Sequence, residues 1–489
     1  MSSTERSVDR SFLSIAMADI QRFGALPSWL ALAAQPTFVS SKLMLSIPEF
    51  AAGTICLDAC KIGGLRVNGT THTWVGTYTL TVTTPATGQR AVLPLQGTLF
   101  PPGQPAPNRA HMNTPFGSAG WRWYLPEIRL ELAIPPPEPD LPIRPQLTDP
   151  DLARTLLEHA MRQGEPAYRD VRIHACSPEV LRYHPGLRAT VRYQLIYPAD
   201  QPAAQNWPAV IIAKTYDGDT GQHAYDGMRA LWHTPLAASA DVTIAEPIAY
   251  LPEFKLLIQG PVPEDQLLKT LIESAIRDPA PTILAELDAT LHKTAASLAG
   301  LHRMPTPTGA MYSWADELAE VRRFADNLAA AVPELAGVAM SLLALLDAHA
   351  TATPPDSNVF AHGTFRPNQV LLHQGQVGLI DFDSWCQAEP ALDLALFLAS
   401  VKDVGLSIIS KSAQKDTTPR LGSLARLDAI CDAFLADYAA LLPVSRPRVA
   451  LWEALAIFTL VLRSWDRVKP VRLENTLFLL DQHMQRHFA

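Results

Sequence analysis

Residues 361–383, AHGTFRPNQVLLHQGQVGLIDFD, interrupt a region whose apolar spacing is helical on both sides. A polar loop from His362 to Asn368 leads into an apolar strand through Leu372. Gln374-Gly375 then makes a tight turn, and a second apolar strand ends at Asp381. A hairpin of this length sets Gln369, which closes the loop, beside Asp381, so an amide oxygen and a carboxylate meet at one spot. Such an oxygen-rich corner suits Mg²⁺ held jointly with substrate phosphates. A strand-end aspartate that only caps the next turn is the competing reading.

Around this island, from Pro263 to the last residue, helical stripes dominate. Leu284, Leu287, Leu291, Ala295 and Leu298 form one; Leu451, Leu455, Phe458 and Val461 form another. The run Val404 to Gly422, with Lys411, Lys415 and Arg420, reads as a loop. Upstream, Asp149-Pro150 starts a helix bearing Leu152, Leu156, Leu157 and Ala160. A strand face of Ala189, Val191, Tyr193, Leu195 and Tyr197 follows. A further apolar strand from Ala209 delivers Lys214, and a helix spans about 221–232.

Nearer the N-terminus, Trp74, Gly76, Tyr78, Leu80 and Val82 alternate with more polar residues as in a strand, with Asn68-Gly69 as a hairpin turn before them. The heptapeptide YLPEIRL at 124–130 recurs as YLPEFKL at 250–256. Tyr78 parallels Tyr193, and Leu95 to Thr98 parallels Ile212 to Thr215. Residues 40–134 thus read as a degenerate copy of the sheet at 170–258, without its helix and lysine. Chance likeness between two strand-rich segments is the alternative.

Composition bounds the function. The 489 residues carry 40 Lys+Arg against 48 Asp+Glu, a net charge of −8, which disfavours sequence-independent nucleic-acid binding. The apolar run Leu328 to Leu346 is broken by Pro333-Glu334 and reads as a buried helix, with no role for a membrane. Five scattered cysteines support neither a zinc site nor a disulfide framework, and the expectation is a reduced, cytoplasmic protein.

The island, followed by Glu389-Pro390-Ala391-Leu392-Asp393-Leu394-Ala395, resembles the catalytic and metal loops of the aminoglycoside phosphotransferase / choline kinase family, relatives of protein kinases. Their pattern is H-G-D-x-x-x-x-N, an I-D-F/W strand, then G-D-P-x-x-D-L-A. The likeness runs from about 170 to 489. It includes the hairpin Leu181 to Tyr193, the helix with Leu298, Leu301 and His302, and Gln259 to Val262 at the family's adenine hinge. It implies an α+β, protein-kinase-like two-lobed fold with a β-rich N-lobe and a helical C-lobe, plus an extra β-rich domain at the N-terminus. The division that follows is 1–145, 146–262 and 263–489.

The resemblance implies roles residue by residue. Asp381 is the principal Mg²⁺ ligand. Gln369 stands where most members have Asn, although maltokinase-like members use Gln there and its amide oxygen can still coordinate, and Asp383 touches a second metal or caps the turn. Lys214 pairs with nucleotide phosphates or is a snorkelling strand-end lysine, and its usual acidic partner is missing, with Asp226 the nearest substitute. Arg188 reaches phosphates or faces solvent; Gln259 and Val262 border the adenine. Arg366 neutralises the transferred phosphoryl group or pairs with an acidic neighbour, His362 braces the loop rather than carrying a proton, and Asp393 anchors the loop backbone. Thr364 replaces the family's general-base aspartate; a hydroxyl can hold a hydrogen bond but cannot take a proton near pH 7. The implied activity is slow phosphoryl transfer from ATP to a hydroxyl of a small molecule such as an amino sugar or amino alcohol. A pseudokinase that binds nucleotide and acts through a protein partner is the alternative, and a ligand-free scaffold is disfavoured by the Lys214, Gln369, Asp381 trio. The free edges of the N-terminal sheet invite a second copy or another protein.

Overall fold

A computed structural model describes residues 3–105, 114–135, 140–184, 186–201, 205–239, 242–305, 309–412 and 418–489. The chain divides into two compact units: Met1–Pro137 with Trp314–Pro354 and Ala454–Ala489, and Glu138–Ser313 with Pro355–Glu453. Two stretches that lie in the helical part of the sequence therefore pack with the N-terminal region.

In the first unit, short helices Ser28–Ala33 and Pro36–Ser46 precede strands β1 (Cys56–Val67), β2 (Trp74–Thr84), β3 (Gln89–Leu99), β4 (Arg122–Leu125) and β5 (Leu130–Ala133). The antiparallel sheet has the order β1-β2-β3-β5-β4. The alternation in β2 is as the sequence indicates: Trp74, Tyr78, Leu80 and Val82 are buried. The turn before it works differently from expectation. Gly69 is not the residue in the left-handed region; His72 is, at φ 51. Asn68 acts through its side chain, whose Oδ1 accepts the N–H groups of Thr70 and Thr71 at 2.9 and 3.0 Å.

In the second unit, helices Arg144–Thr148 and Pro150–Gln163 precede β6 (Ala175–His184), β7 (Arg188–Ile196), β8 (Val210–Thr215), the short β9 (Thr243–Ile244), β10 (Pro247–Leu251) and β11 (Leu256–Gln259). Five of these form an antiparallel sheet of order β6-β7-β8-β11-β10, with helix Thr220–Trp232 in the connection after β8. The two sheets therefore share strand order, each preceded by a short and a longer helix that starts with proline. Tyr78 and Tyr193 each donate to a carbonyl at the end of the preceding short helix, Ala33 and Leu147, both at 2.9 Å. In the repeated heptapeptide, Arg129 and Lys255 sit alike in the left-handed region, at φ 52 and 48.

The register corrects the alignment by one residue. Tyr78 faces Leu95 and Tyr193 faces Ile211, while Leu99 pairs Leu130 and Thr215 pairs Leu256. Lys214 thus corresponds to Thr98, not to Gly97. The buried stripe of Pro150–Gln163 is Ala153, Leu157, Ala160 and Met161, and Leu152 is exposed. Asp149 caps that helix, its Oδ1 accepting from Asp151 and Leu152 N–H at 3.0 Å each.

The rest of the second unit is helical apart from small strands. The strands β12 (Gln266–Leu267), β14 (Val370–His373) and β15 (Gln376–Leu379) form a sheet with β9; β13 (Val359–Ala361) pairs with β16 (Cys386–Ala388). The run 404–422 is not a loop: helices Pro390–Ser412 and Thr418–Leu441 take most of it, and Lys415 lies outside the described residues. The apolar run 328–346 is not one helix either. Helix Trp314–Ala331 ends before Pro333, and Met340–Ala352 begins after a 3₁₀ turn. Residues 333–352 are together long and apolar enough to cross a membrane. Their α-helical part has only 13 residues, about 20 Å, short of a hydrocarbon core of about 30 Å.

Candidate active site

The β14–β15 hairpin builds the corner. Gln374 and Gly375 at its tip both have positive φ, 47 and 75, which fits a two-residue turn with the strands' own twist. Val370 faces Leu379, and the Ile380 N–H donates to the Gln369 carbonyl at 3.2 Å. The register thus sets Gln369 beside Asp381, whose backbone is left-handed at φ 75. Gln369 Nε2 donates to Asp381 Oδ2 at 3.3 Å and to Thr364 Oγ1 at 3.1 Å. Its Oε1 is buried without a hydrogen-bond partner.

Lys214 reaches the same corner from β8, with Nζ 3.2 Å from Asp381 Oδ1 and 3.4 Å from Asp383 Oδ1. The Tyr216 hydroxyl donates to Asp383 Oδ1 at 2.8 Å. Burial works against the lysine's charge, but Tyr216, Asp383 and Asp381 raise its pKa above the ordinary value, so it stays cationic. Burial would raise both carboxyls. For Asp381 the Lys214 charge and the Gln369 amide prevail and lower its pKa; Asp383, with Asp381 as a like-charged neighbour, ends above the ordinary value.

A buried aspartate fixes the loop. Asp393 Oδ2 accepts the His362 N–H at 2.6 Å and Oδ1 accepts the Gly363 N–H at 2.9 Å. His302 Nε2 donates to Asp393 Oδ2 at 3.0 Å, leaving Nδ1 to accept from the Tyr438 hydroxyl at 2.6 Å. Gly363 has φ 78, and a Cβ there would lie 1.9 Å from the Ser384 carbonyl oxygen, so only glycine lets the two loops touch. His362 is fully buried, its Nε2 donating to the Ile380 carbonyl at 2.9 Å and its Nδ1 facing Thr364 Oγ1 at 3.5 Å.

Other candidates stand apart. Arg188 opens β7 and is exposed; among the described residues its side chain makes no hydrogen bond or ion pair. Gln259 ends β11 opposite Ile212. Val262 packs on Gly378, where an added Cβ would meet its Cγ1 at 2.4 Å. Arg366 is half-buried, its carbonyl accepting the Gln369 N–H at 2.9 Å. Asp226 is not the partner of Lys214: it accepts from Gln222 Nε2 at 2.9 Å, one turn away on its own helix.

Sequence reading missed His223 and Trp385. His223 Nε2 donates to the Trp385 carbonyl at 2.8 Å, Trp385 Nε1 donates to the His223 carbonyl at 2.7 Å, and the rings stack 4.8 Å apart. Trp385 lies against Gly227, where a Cβ would meet its Nε1 at 2.2 Å. Helix Thr220–Trp232 is thereby tied to the loop after Asp383 by aromatic stacking and not by an ion pair. The only sequence signal was a glycine on the buried face of that helix.

Residues 236–443 match a family model described as the phosphotransferase enzyme family, so the likeness carried by the motifs holds over that span. Lys214 and Arg188 lie outside it. No curated protein sequence matches the chain. Among solved structures, a glucosamine kinase in complex with glucosamine, ADP and inorganic phosphate is 16% identical, covering 91% of this chain and 98% of its own, at TM-score 0.45. A choline kinase from Cryptosporidium parvum is 12% identical, covering 68% and 94%, at TM-score 0.42. An aminoglycoside phosphotransferase from Streptomyces rimosus is 18% identical, covering 58% and 92%, at TM-score 0.36.

Proposed function

We propose that this chain, whose residues 236–443 carry the phosphotransferase pattern, transfers a phosphoryl group from ATP, with Mg²⁺, to a hydroxyl of a small molecule. One observation carries the reading: Lys214, from a strand 167 residues earlier in the chain, and Gln369, from the same hairpin as Asp381, both come within hydrogen-bonding distance of Asp381. The donors suit a hard cation. Gln369 Oε1 is a buried acceptor with no partner, and Asp381 is ionised beside it. Among the described residues no cluster of three or more His, Cys, Asp or Glu forms a metal site. A cation here would rest on one or two carboxylates, an amide and substrate phosphates, the habit of Mg²⁺. When bound, that ion neutralises charge on the phosphates.

The chain's own groups do the rest. Lys214 supplies a point charge for nucleotide phosphates. As the new P–O bond forms, the acceptor hydroxyl must lose its proton. Thr364 can hold that hydroxyl by a hydrogen bond but has no basic oxygen. Behind it, His362 Nδ1 is left as an acceptor because Nε2–H is spent on Ile380. That nitrogen can take a proton passed through Thr364 Oγ1, a role beyond the loop-bracing one that the sequence suggests for His362. Transfer depends chiefly on positioning and charge neutralisation, so loss of the aspartate slows the reaction without removing it.

Calorimetric titration of the full chain with ATP, with and without Mg²⁺, is the test. Binding should require Mg²⁺ and vanish in Asp381→Ala. At ligand about 100-fold above Kd it should stabilise the parent by about 2.7 kcal/mol. A folded parent that ignores nucleotide with Mg²⁺ present would sink the reading. The second reading, a nucleotide-binding protein without transfer, is favoured by Thr364 alone. It prevails if nucleotide binds but ATP is not consumed with any of a panel of amino sugars and amino alcohols.

A further inference from the structure

The first unit holds a cavity of about 240 Å³ beside a β-bulge in β1. Gly63 faces Thr77 and Arg66 faces Val75, so Gly64 and Leu65 share one partner position. Gly64 has φ 65, and a Cβ at Gly63 or Gly64 would meet nothing within 4 Å, so the peptide wall there is open to a ligand. The opposite wall is the turn Arg467, Val468, Lys469, between helices Arg446–Asp466 and Pro470–Phe488.

Val468 is buried at φ 52, a conformation that a β-branched residue rarely adopts and that glycine usually fills at a helix end. Its N–H donates to the Trp465 carbonyl at 3.0 Å and that of Lys469 to the Ser464 carbonyl at 2.8 Å. This turn puts both Arg467 and Lys469 on the cavity. With Arg66 they make three cationic residues and no acidic one in its lining. Among the described residues none of the three is in a salt bridge. The nearby carboxylate, Asp466, accepts the Val67 N–H at 2.9 Å. Burial and the like charges of Arg66, Arg463 and Arg472 push the pKa of Arg467 down.

We propose that this cavity binds a phosphate dianion, free or as the monoester of a small molecule. Two arginines and a lysine in one lining match an anion of about two charges, and guanidinium forks fit phosphate oxygens. Open glycine peptides let such an anion approach the backbone. The volume lies below the usual range of about 300–1,000 Å³ for ligand pockets, which suits a small ester and not a nucleotide. The site is independent of the reading of the second unit.

Calorimetry on the full chain at low ionic strength, with inorganic phosphate as the probe, decides the matter. Binding should persist in Lys214→Ala, fall with added salt, and weaken about tenfold or more in the Arg66→Ala/Arg467→Ala double variant. Glucose 6-phosphate that displaces phosphate identifies an ester site; failure to displace it identifies free phosphate. No heat with about 10 mM phosphate in the parent would overturn the proposal. So would binding lost in Lys214→Ala and kept in the double variant. Melting curves check that the variants fold; if the double variant does not, Lys469→Ala carries the test, and unchanged affinity there overturns it.

Discussion

The two five-stranded sheets have the same strand order and the same buried tyrosine, yet Thr98 stands in one where Lys214 stands in the other. Thr98 has Val75 and Glu131 across the strands. Lys214 has Thr190 and Leu257, and its ammonium extends to Asp381 and Asp383. The features the sheets share are those packing requires: a tyrosine tying the sheet to a helix end, and a left-handed residue turning the repeated heptapeptide. The feature that differs is the one packing does not need. A sheet can keep its architecture after its charged groups are gone, because burial and backbone pairing hold it together.

The largest effect should come from the loop that Asp393 holds beside the second sheet's lysine. Asp393→Ala removes the acceptor for His302 and two backbone N–H groups, and should cost about 3–5 kcal/mol in urea unfolding. Burial raises the Asp393 carboxyl, but the His302 ring and the His362 N–H hold it below the ordinary carboxylate range. Such a group contributes stability above its unfolded pKa, about 3.9, and loses it as pH falls through the lower folded value. The parent should thus destabilise below about pH 4 and the variant less steeply; parallel acid limbs would assign the effect elsewhere.

Next in size is Lys214→Thr, which makes the second sheet like the first. Nucleotide affinity should drop about 10–100-fold, while Thr98→Lys should leave it unchanged; calorimetry reads both. Gain of a second nucleotide site in Thr98→Lys would break the comparison.

Packing differs at the neighbouring position. A Cβ at Gly97 would lie 2.2 Å from the Tyr78 ring, so Gly97→Ala should destabilise by about 1–3 kcal/mol. Its counterpart, Ala213→Gly, should cost about 1 kcal/mol through added chain freedom. Smallest and most alike should be Tyr78→Phe and Tyr193→Phe, each losing one hydrogen bond to a helix-end carbonyl, about 1 kcal/mol. A difference well beyond that in denaturant melts would mean the two tyrosines do unlike work.

Much of the site was legible in the chain because it is local. The hairpin, its Gln374-Gly375 turn and the spacing from Gln369 to Asp381 are set by period-two alternation and turn chemistry within two dozen residues. The same locality made the heptapeptide repeat visible. Errors arose where a choice depends on what a segment packs against. Leu152 is the more apolar of two neighbours, yet Ala153 is the one buried, because the opposing sheet decides which face of the helix is covered. The repeat slipped by one residue because alternating strands look alike until cross-strand partners are known.

Residue order alone settled most element types, though not the helices across 404–422 or the break at Pro333, together with the repeated strand pattern and the pairing of amide with carboxylate, since each follows from short-range stereochemistry. Packing at long sequence separation decided the rest. It brought Lys214 onto Asp381 and Asp383, set Trp385 against His223 and Gly227, and joined 314–354 and 454–489 to the N-terminal unit. Those contacts depend on shape and burial between segments far apart along the chain, which no local pattern encodes.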